Sequence, residues 1–359
     1  MERILVYGMT DNPGGIETYL MNTASRMSEY GIVFDYVTDF KTIAYKGKIE
    51  SMQSKIFFIP AKSQGLLQQW KKFYTILKKH PEYHTVYVNA LDAGAALTCI
   101  VPFFMGRKIV FHSHNGSTDK MRLHRICRPL LKMICKNYVA CSSQAGEYMF
   151  GKTRREIFIM PNAIDFEKYK YDERTRQRKR EELHVQQSKV ICHVGRLSMQ
   201  KNPYRLIDIF DIVAEKVPEA VLLSVGSGEL EGEVKAYAAS KKCSDRIYFL
   251  GSRKDVPDIL MASDVFILPS LYEGLSIAAL EAQVTGIPCI FSNVLSREVD
   301  INGYVHFISL RRNNDQWAAA VCEALKEPRH WDLTEIDGSL YNIRNIQKYD
   351  RKLVKILQE

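Results

Sequence analysis

A chain of 359 residues, 46 % hydrophobic and 25 % charged, has ordinary globular composition and the length for two cores. Lys and Arg number 50 against 41 Asp and Glu, and the formal net charge of +9 favours an anionic partner without naming one. The longest apolar stretch, Ala93 to Phe104, is broken by Pro102 and falls short of the roughly 20 residues of a membrane-spanning helix, which excludes an integral membrane protein.

The N-terminal MERILVYGMT enters a strand-like run at once, with no basic head leading into a long apolar stretch, so the expectation is a cytoplasmic chain. The eight cysteines contain no CxxC pair and sit mostly inside apolar runs, as reduced core residues would. Arg3–Tyr7 reads as a strand, and Ile16, Tyr19, Leu20, Thr23 and Met27 then recur at helical spacing until Gly31. Strands at Ile32–Thr38, Thr85–Asn89, Lys108–His112, Tyr138–Cys141 and Ile157–Met160 continue the series. Between Glu167 and Lys189 the composition turns highly charged, which predicts a linker and a charged helix over 166–189 between a first domain, 1–165, and a second, 190–339. A second strand series follows at Val190–Val194, Val221–Val225, Arg246–Leu250, Val265–Leu268 and Cys289–Phe291, and a helical segment from Ser339 to Leu357 closes the chain. Strands alternating with helices predict an α/β protein of two doubly wound, Rossmann-like domains, with the last helix, in 340–359, free to pack back on the first.

Several constellations can carry chemistry. Gly14 and Gly15 open the first helix, where bare amides and the helix N-terminus suit a phosphate, or where a loop needs positive φ. Arg196 and Lys201 follow a strand at the sheet edge where open α/β sheets bind ligands; they suit a diphosphate, or are solvated loop charges. Asn202-Pro203 reads as a helix cap with a first-turn proline. Glu273-Gly274-Leu275-Ser276 leads into the helix Ser276–Gln283, and Glu281, among apolar residues of that helix, needs a hydroxyl or cation partner. Gly226-Ser227-Gly228 lacks the third glycine of a dinucleotide fingerprint, and no Asp-x-Asp or HExxH sequence occurs, so neither a Rossmann cofactor nor a metal centre is expected. His112 and His114 stand at a strand's end before Gly116, placed to bond a substrate hydroxyl or simply to pack. The segment 119–136 interleaves Lys and Arg with apolar residues and is interrupted by Pro129; it suits an anionic membrane surface or a solvated helix face.

Taken in order, GGIET at Gly14–Thr18, PNAID at Pro161–Asp165, GRLSMQKN at Gly195–Asn202, GSGEL at Gly226–Leu230 and EGLSIAALEA at Glu273–Ala282, followed by GIP at Gly286–Pro288, resemble the retaining glycosyltransferases of family 4 over nearly the whole chain. Ala163 and Val284 stand where that family more often has smaller residues. The resemblance implies a GT-B architecture, two Rossmann-like domains facing each other across a cleft, with acceptor binding in the first and nucleotide-sugar binding in the second. It further implies that Gly14, Gly15, Arg196 and Lys201 hold the donor diphosphate, that Glu281 binds the ribose, and that Glu273 lies near the sugar hydroxyls. Gly226 and the amides of Gly274, Leu275 and Ser276 would complete the donor site, and His114, in preference to His112, would stand by the transferred sugar.

The implied reaction moves a sugar from a nucleotide-diphosphate sugar, UDP-sugar by family preference, to a saccharide acceptor with retention and no metal. Fixed cations and helix-end amides would stabilise the growing charge of the leaving diphosphate. The expected setting is exopolysaccharide, capsule or other surface glycan assembly on a lipid-linked acceptor at the inner face of the cytoplasmic membrane. A nucleotide-sugar epimerase of related fold and a non-catalytic partner subunit are the alternatives. The paired Glu273 and Glu281 with Arg196 and Lys201 favour transfer. Nucleic acid is not an expected partner, since aromatic residues do not interleave with the basic runs.

Overall fold

The computed structural model describes residues 1–330, 334 and 336–359. The chain divides into two compact units, one made of Met1–Ala163 with Ile346–Glu359, the other of Ile164–Asn345. The charged stretch 166–189 thus lies inside the second unit, and of the span 190–339, residues 331–333 and 335 lie outside the described residues.

The first unit is built on seven parallel strands: β1 (Glu2–Tyr7), β2 (Ile32–Thr38), β3 (Ile56–Phe58), β4 (Thr85–Ala90), β5 (Lys108–Ser113), β6 (Asn137–Ala140) and β7 (Ile157–Ile159). Their order is β3-β2-β1-β4-β5-β6-β7, so the chain reverses direction of travel across the sheet between β1 and β4, where Tyr7 pairs with both Val37 and Val88. Central strands buried on both faces read as unbroken apolar runs, and Leu5, Val86, Val88 and Phe111 form the core with Phe73 and Leu131 from the covering helices. β3 escapes the strand pattern in the sequence because it is a three-residue edge strand with only partial burial. The closing helix begins at Gln347, after a single 3-10 turn at Ile343–Asn345, and not at Ser339. It packs on the first unit through Leu353 and Leu357, and its buried Asp350 pairs with Arg26 at 2.9 Å.

The second unit holds six parallel strands: β8 (Lys189–Val194), β9 (Ala220–Val225), β10 (Ile247–Gly251), β11 (Val265–Leu268), β12 (Cys289–Ser292) and β13 (Val305–Ile308). They lie in the order β10-β9-β8-β11-β12-β13, with the switch point between β8 and β11. Ile191, Leu222 and Ile267 face Phe210 and Trp317 in its core. β13, like β3, is an edge strand of mixed burial and carries no clear alternation. The helix Glu173–Glu182 docks against Val256–Ala262: Arg176 donates to the carbonyls of Met261 and Ser263, each at 2.9 Å, and Arg180 to that of Ala262 at 2.8 Å. Its charges are therefore partly structural, closing the end of a neighbouring helix. Seven of the eight cysteines are buried, Cys322 is partly exposed, and none is in a disulfide. No helix among the described residues is long and apolar enough to cross a membrane.

Candidate active site

In the second unit, the loops after β8 and β11 leave adjacent strands at the switch point, the edge where open parallel sheets bind ligands. Leu271 N donates to the Gln200 carbonyl at 2.8 Å, and the Gln200 side chain returns to the Tyr272 carbonyl at 3.0 Å. Asn202 adopts a left-handed backbone, φ 56°, and its side chain does not cap the following helix. It donates instead to the Pro269 carbonyl at 3.2 Å, tying the two loops together. Between them, Lys201 Nζ meets Glu273 Oε1 at 2.5 Å, and Ser270 Oγ donates to the same oxygen at 2.8 Å. Two residues 72 positions apart and singled out separately in the sequence are thus one ion pair, with Glu273 buried. Arg196 is exposed and makes no ion pair among the described residues, which leaves its guanidinium available to an anion.

The helix Ile277–Val284 starts at Ser276 with no side-chain cap, so its first amides are left for other acceptors. Gly274, Leu275 and Ser276 on its entry are buried. Glu281, 8 % exposed, has the hydroxyl partner that its apolar helix requires: Tyr169 Oη donates to Oε1 at 2.5 Å. Burial pushes the Glu281 carboxyl up to about 7, and the Tyr169 hydrogen bond, which favours the charged form, pulls the other way. Tyr169 lies in the charged segment that the sequence reads as a linker, so only the fold reveals the pairing.

In the first unit, β4 and β5 are neighbours, and His114, just past β5, presents Nε2 to Asn89 Oδ1 of β4 at 2.8 Å. His112 is fully enclosed, its Nδ1 2.6 Å from the Tyr87 hydroxyl, which in turn lies 2.9 Å from that of Tyr19, while its Nε2 has no hydrogen-bond partner among the described residues. The two imidazoles lie 3.9 Å apart, and Tyr19 of the helix Gly15–Glu29 touches both. His114 is thus the histidine nearer the loop, and burial lowers it to about 3, making it a neutral hydrogen-bonding group at physiological pH. In the tautomer that donates Nε2–H to Asn89, its Nδ1 is an acceptor for a hydroxyl.

The glycines separate by cause. Gly226 has φ +125°, and a Cβ there would fall 2.1 Å from the Gly195 carbonyl oxygen, so close backbone packing accounts for it without a ligand. Gly8, with φ +115°, does the same against Asn89 O at 1.8 Å in the first unit. Gly14, by contrast, is extended at φ −155°, and a Cβ on Gly15 would meet no protein atom within 4 Å. The positive-φ explanation of that pair is therefore excluded. The loop they end is held by Glu17, a buried residue whose Oε1 accepts from Thr10 N at 2.9 Å and Thr10 Oγ1 at 2.8 Å, a role the sequence does not signal.

Two Rossmann-like units with charged side chains gathered at a sheet's switch point are the fold of the GT-B glycosyltransferases. HepE of Anabaena, solved in complex with UDP-glucose, superposes with a TM-score of 0.80 at 20 % identity, covering 98 % of this chain and 99 % of that one. WaaG, a glycosyltransferase involved in lipopolysaccharide biosynthesis, superposes at 0.77 with 16 % identity over 99 % of each chain. The family model described as Glycosyltransferase Family 4 matches residues 13–168, and that described as Glycosyl transferases group 1 matches 174–335. EpsF of Bacillus subtilis (strain 168), which carries a glycosyltransferase name, is 27 % identical over 93 % of this chain and 94 % of its own. The UDP-Gal:alpha-D-GlcNAc-diphosphoundecaprenol alpha-1,3-galactosyltransferase of Escherichia coli is 31 % identical over 67 % of this chain and 66 % of its own. The chain belongs to the family 4, group 1 glycosyltransferases, and is a glycosyltransferase.

Proposed function

We propose that this glycosyltransferase moves a sugar from a UDP-sugar to a saccharide acceptor, with retention and without a metal ion, in the assembly of a surface glycan. The observation that carries the reading is the Lys201–Glu273 pair beside the unpaired Arg196 at the switch-point edge, with the uncapped helix Ile277–Val284 following. Cations and amides so placed meet the charge that develops on a departing diphosphate, the work a metal does in other sugar transferases. Glu281 binds the donor ribose, Glu273 lies by the transferred sugar, and the first unit takes the acceptor. The donor and the diphosphoundecaprenol-linked acceptor named for the E. coli relative support UDP and a lipid-linked acceptor. A peripheral contact with the cytoplasmic membrane face is supported by the helix Met121–Ile134, whose outward side carries Arg122, Arg125, Ile126 and Met133.

The test is a calorimetric screen of the purified protein with UDP, GDP, ADP and their common sugars, with and without EDTA. Selective binding of UDP compounds, unchanged by EDTA, and turnover with retained anomeric configuration are expected. Selective GDP or ADP binding would overturn the donor assignment, loss of turnover in EDTA the metal-free mechanism, and tight binding without turnover on any saccharide acceptor the catalytic reading.

A further inference from the structure

The turn Phe166–Tyr169 follows directly on the PNAID segment and is capped by Asp165, whose Oδ1 accepts from Glu167 N at 3.2 Å. It packs against the helix Ile277–Val284, and through this contact Tyr169 reaches Glu281. We propose that Tyr169 is a positioning residue for the donor nucleotide, its hydroxyl holding the Glu281 carboxylate ionised and aimed for the ribose. This rests on the reading of Glu281 as the ribose ligand.

The hydrogen bond occupies one lone pair of Oε1, while Oε2 makes no hydrogen bond among the described residues. A carboxylate has about four acceptor sites, so two neighbouring ribose hydroxyls can be accommodated without displacing Tyr169. Tyr169 is also the group that favours the ionised form. The elements packed most closely on this helix are Phe166–Tyr169, Val256–Ala262 and β12, whose other titratable groups are engaged elsewhere, and the turn Arg297–Val299 joins it through Gln283 and the Val299 carbonyl with Arg297, over the Phe307 ring, and Glu298 both exposed. Glu167 pairs with Arg344, Lys168 with Asp165 and Asp258 with Arg178, and the Cys289 thiol donates to the Ile287 carbonyl. On the helix itself Glu281 is the sole titratable side chain. No cation therefore compensates the buried carboxylate among the described residues. A protonated Glu281 would present a hydroxyl donor where two acceptors are needed.

The sign follows. Burial raises the Glu281 carboxyl to about 7, so nucleotide affinity falls as pH drops through neutrality. Removing the Tyr169 hydroxyl raises it further and moves that loss to higher pH. The experiment titrates UDP-glucose, whose diphosphate has no group ionising near neutrality, into the parent, Tyr169→Phe, Glu281→Ala and Glu281→Gln across the pH range. For a midpoint raised by about half a unit, Tyr169→Phe is expected to bind about threefold more weakly than the parent near about pH 6, with the gap narrowing toward about pH 8.5. Glu281→Gln, which keeps the shape and cannot titrate, is expected to bind weakly with a flat profile. If UDP-glucose binds and Glu281→Ala weakens it, but the Tyr169→Phe profile matches the parent or is lowered by one constant factor at every pH, Tyr169 is merely structural and the inference fails. A pH dependence persisting in Glu281→Gln would overturn it too, and does not depend on Tyr169→Phe folding. If Glu281→Ala leaves affinity unchanged, the ribose reading itself falls and takes this inference with it.

Discussion

Glycine illustrates how residue identity and residue cause come apart. Gly15 and Gly226 both belong to short motifs of the kind that line phosphate sites, yet Gly226 is accounted for by the Gly195 carbonyl and Gly15 by nothing inside the protein. Gly226→Ala should therefore destabilise the fold by more than about 2 kcal/mol, because positive φ and a backbone clash act together. Gly15→Ala should leave the melting temperature unchanged or raised, since alanine is the better helix former, while lowering turnover by about tenfold if a diphosphate approaches its amide. Thermal melts and steady-state kinetics on the two variants decide this, and full turnover by Gly15→Ala would remove the glycine pair from the site. The same separation governs the charged residues. That Glu281 needs a partner is legible in the sequence, because an ionised side chain in an apolar helix is costly. That the partner is Tyr169, 112 positions away, is not, because the spacing carries no trace of it. Likewise Lys201 and Glu273 are each visible as candidates, but their pairing depends on two loops zipped by Gln200 and Asn202.

At the scale of elements, the buried strands are legible because a strand covered on both faces is predominantly apolar, whereas β3 and β13 are edge strands with half-exposed side chains. Pro129 does not interrupt the helix Met121–Ile134 as its place in the pattern suggests; the helix runs through it. Its buried side is formed by His124, Cys127, Leu131 and Ile134, leaving Ile126, 75 % exposed, and Met133, 59 % exposed, facing outward among basic residues. Apolar side chains outside the core and beside Arg122 and Arg125 suit the boundary of an anionic bilayer. Co-sedimentation with phosphatidylglycerol vesicles is expected, with little binding to neutral vesicles. Arg125→Glu should weaken it by about fivefold or more at roughly 1 kcal/mol per charge near the surface, without changing thermal stability. Equal binding of parent and variant, or of anionic and neutral vesicles, would make this a solvated helix face.

Across the whole molecule, both units enclose uncharged imidazoles. Burial lowers His114 and His193 to about 3, and His112, with His114 beside it, falls well below its ordinary value. Each takes up a proton on unfolding below about pH 6.5, so the stability it contributes is complete above that pH and lost as pH falls. Glu281, raised to about 7, acts in the opposite sense over the same interval, since the folded state then binds the extra proton. The histidines outnumber it, and stability should fall by about 2 kcal/mol between about pH 7 and about pH 5.5. Urea unfolding at the two pH values measures this, and a flat or rising stability toward acid would contradict the burial of these rings. By itself, the sequence determined the α/β class, the two parallel sheets and the candidate charged and glycine residues at the loops, because periodicity, burial and local motif chemistry are properties of neighbouring positions. Only the tertiary structure decided that the charged stretch 166–189 belongs to the second unit, that Gly226 answers to packing, and which side chain answers each buried charge. Those outcomes depend on contacts between residues tens to hundreds of positions apart, and they exist only once the sheets have brought their loops together.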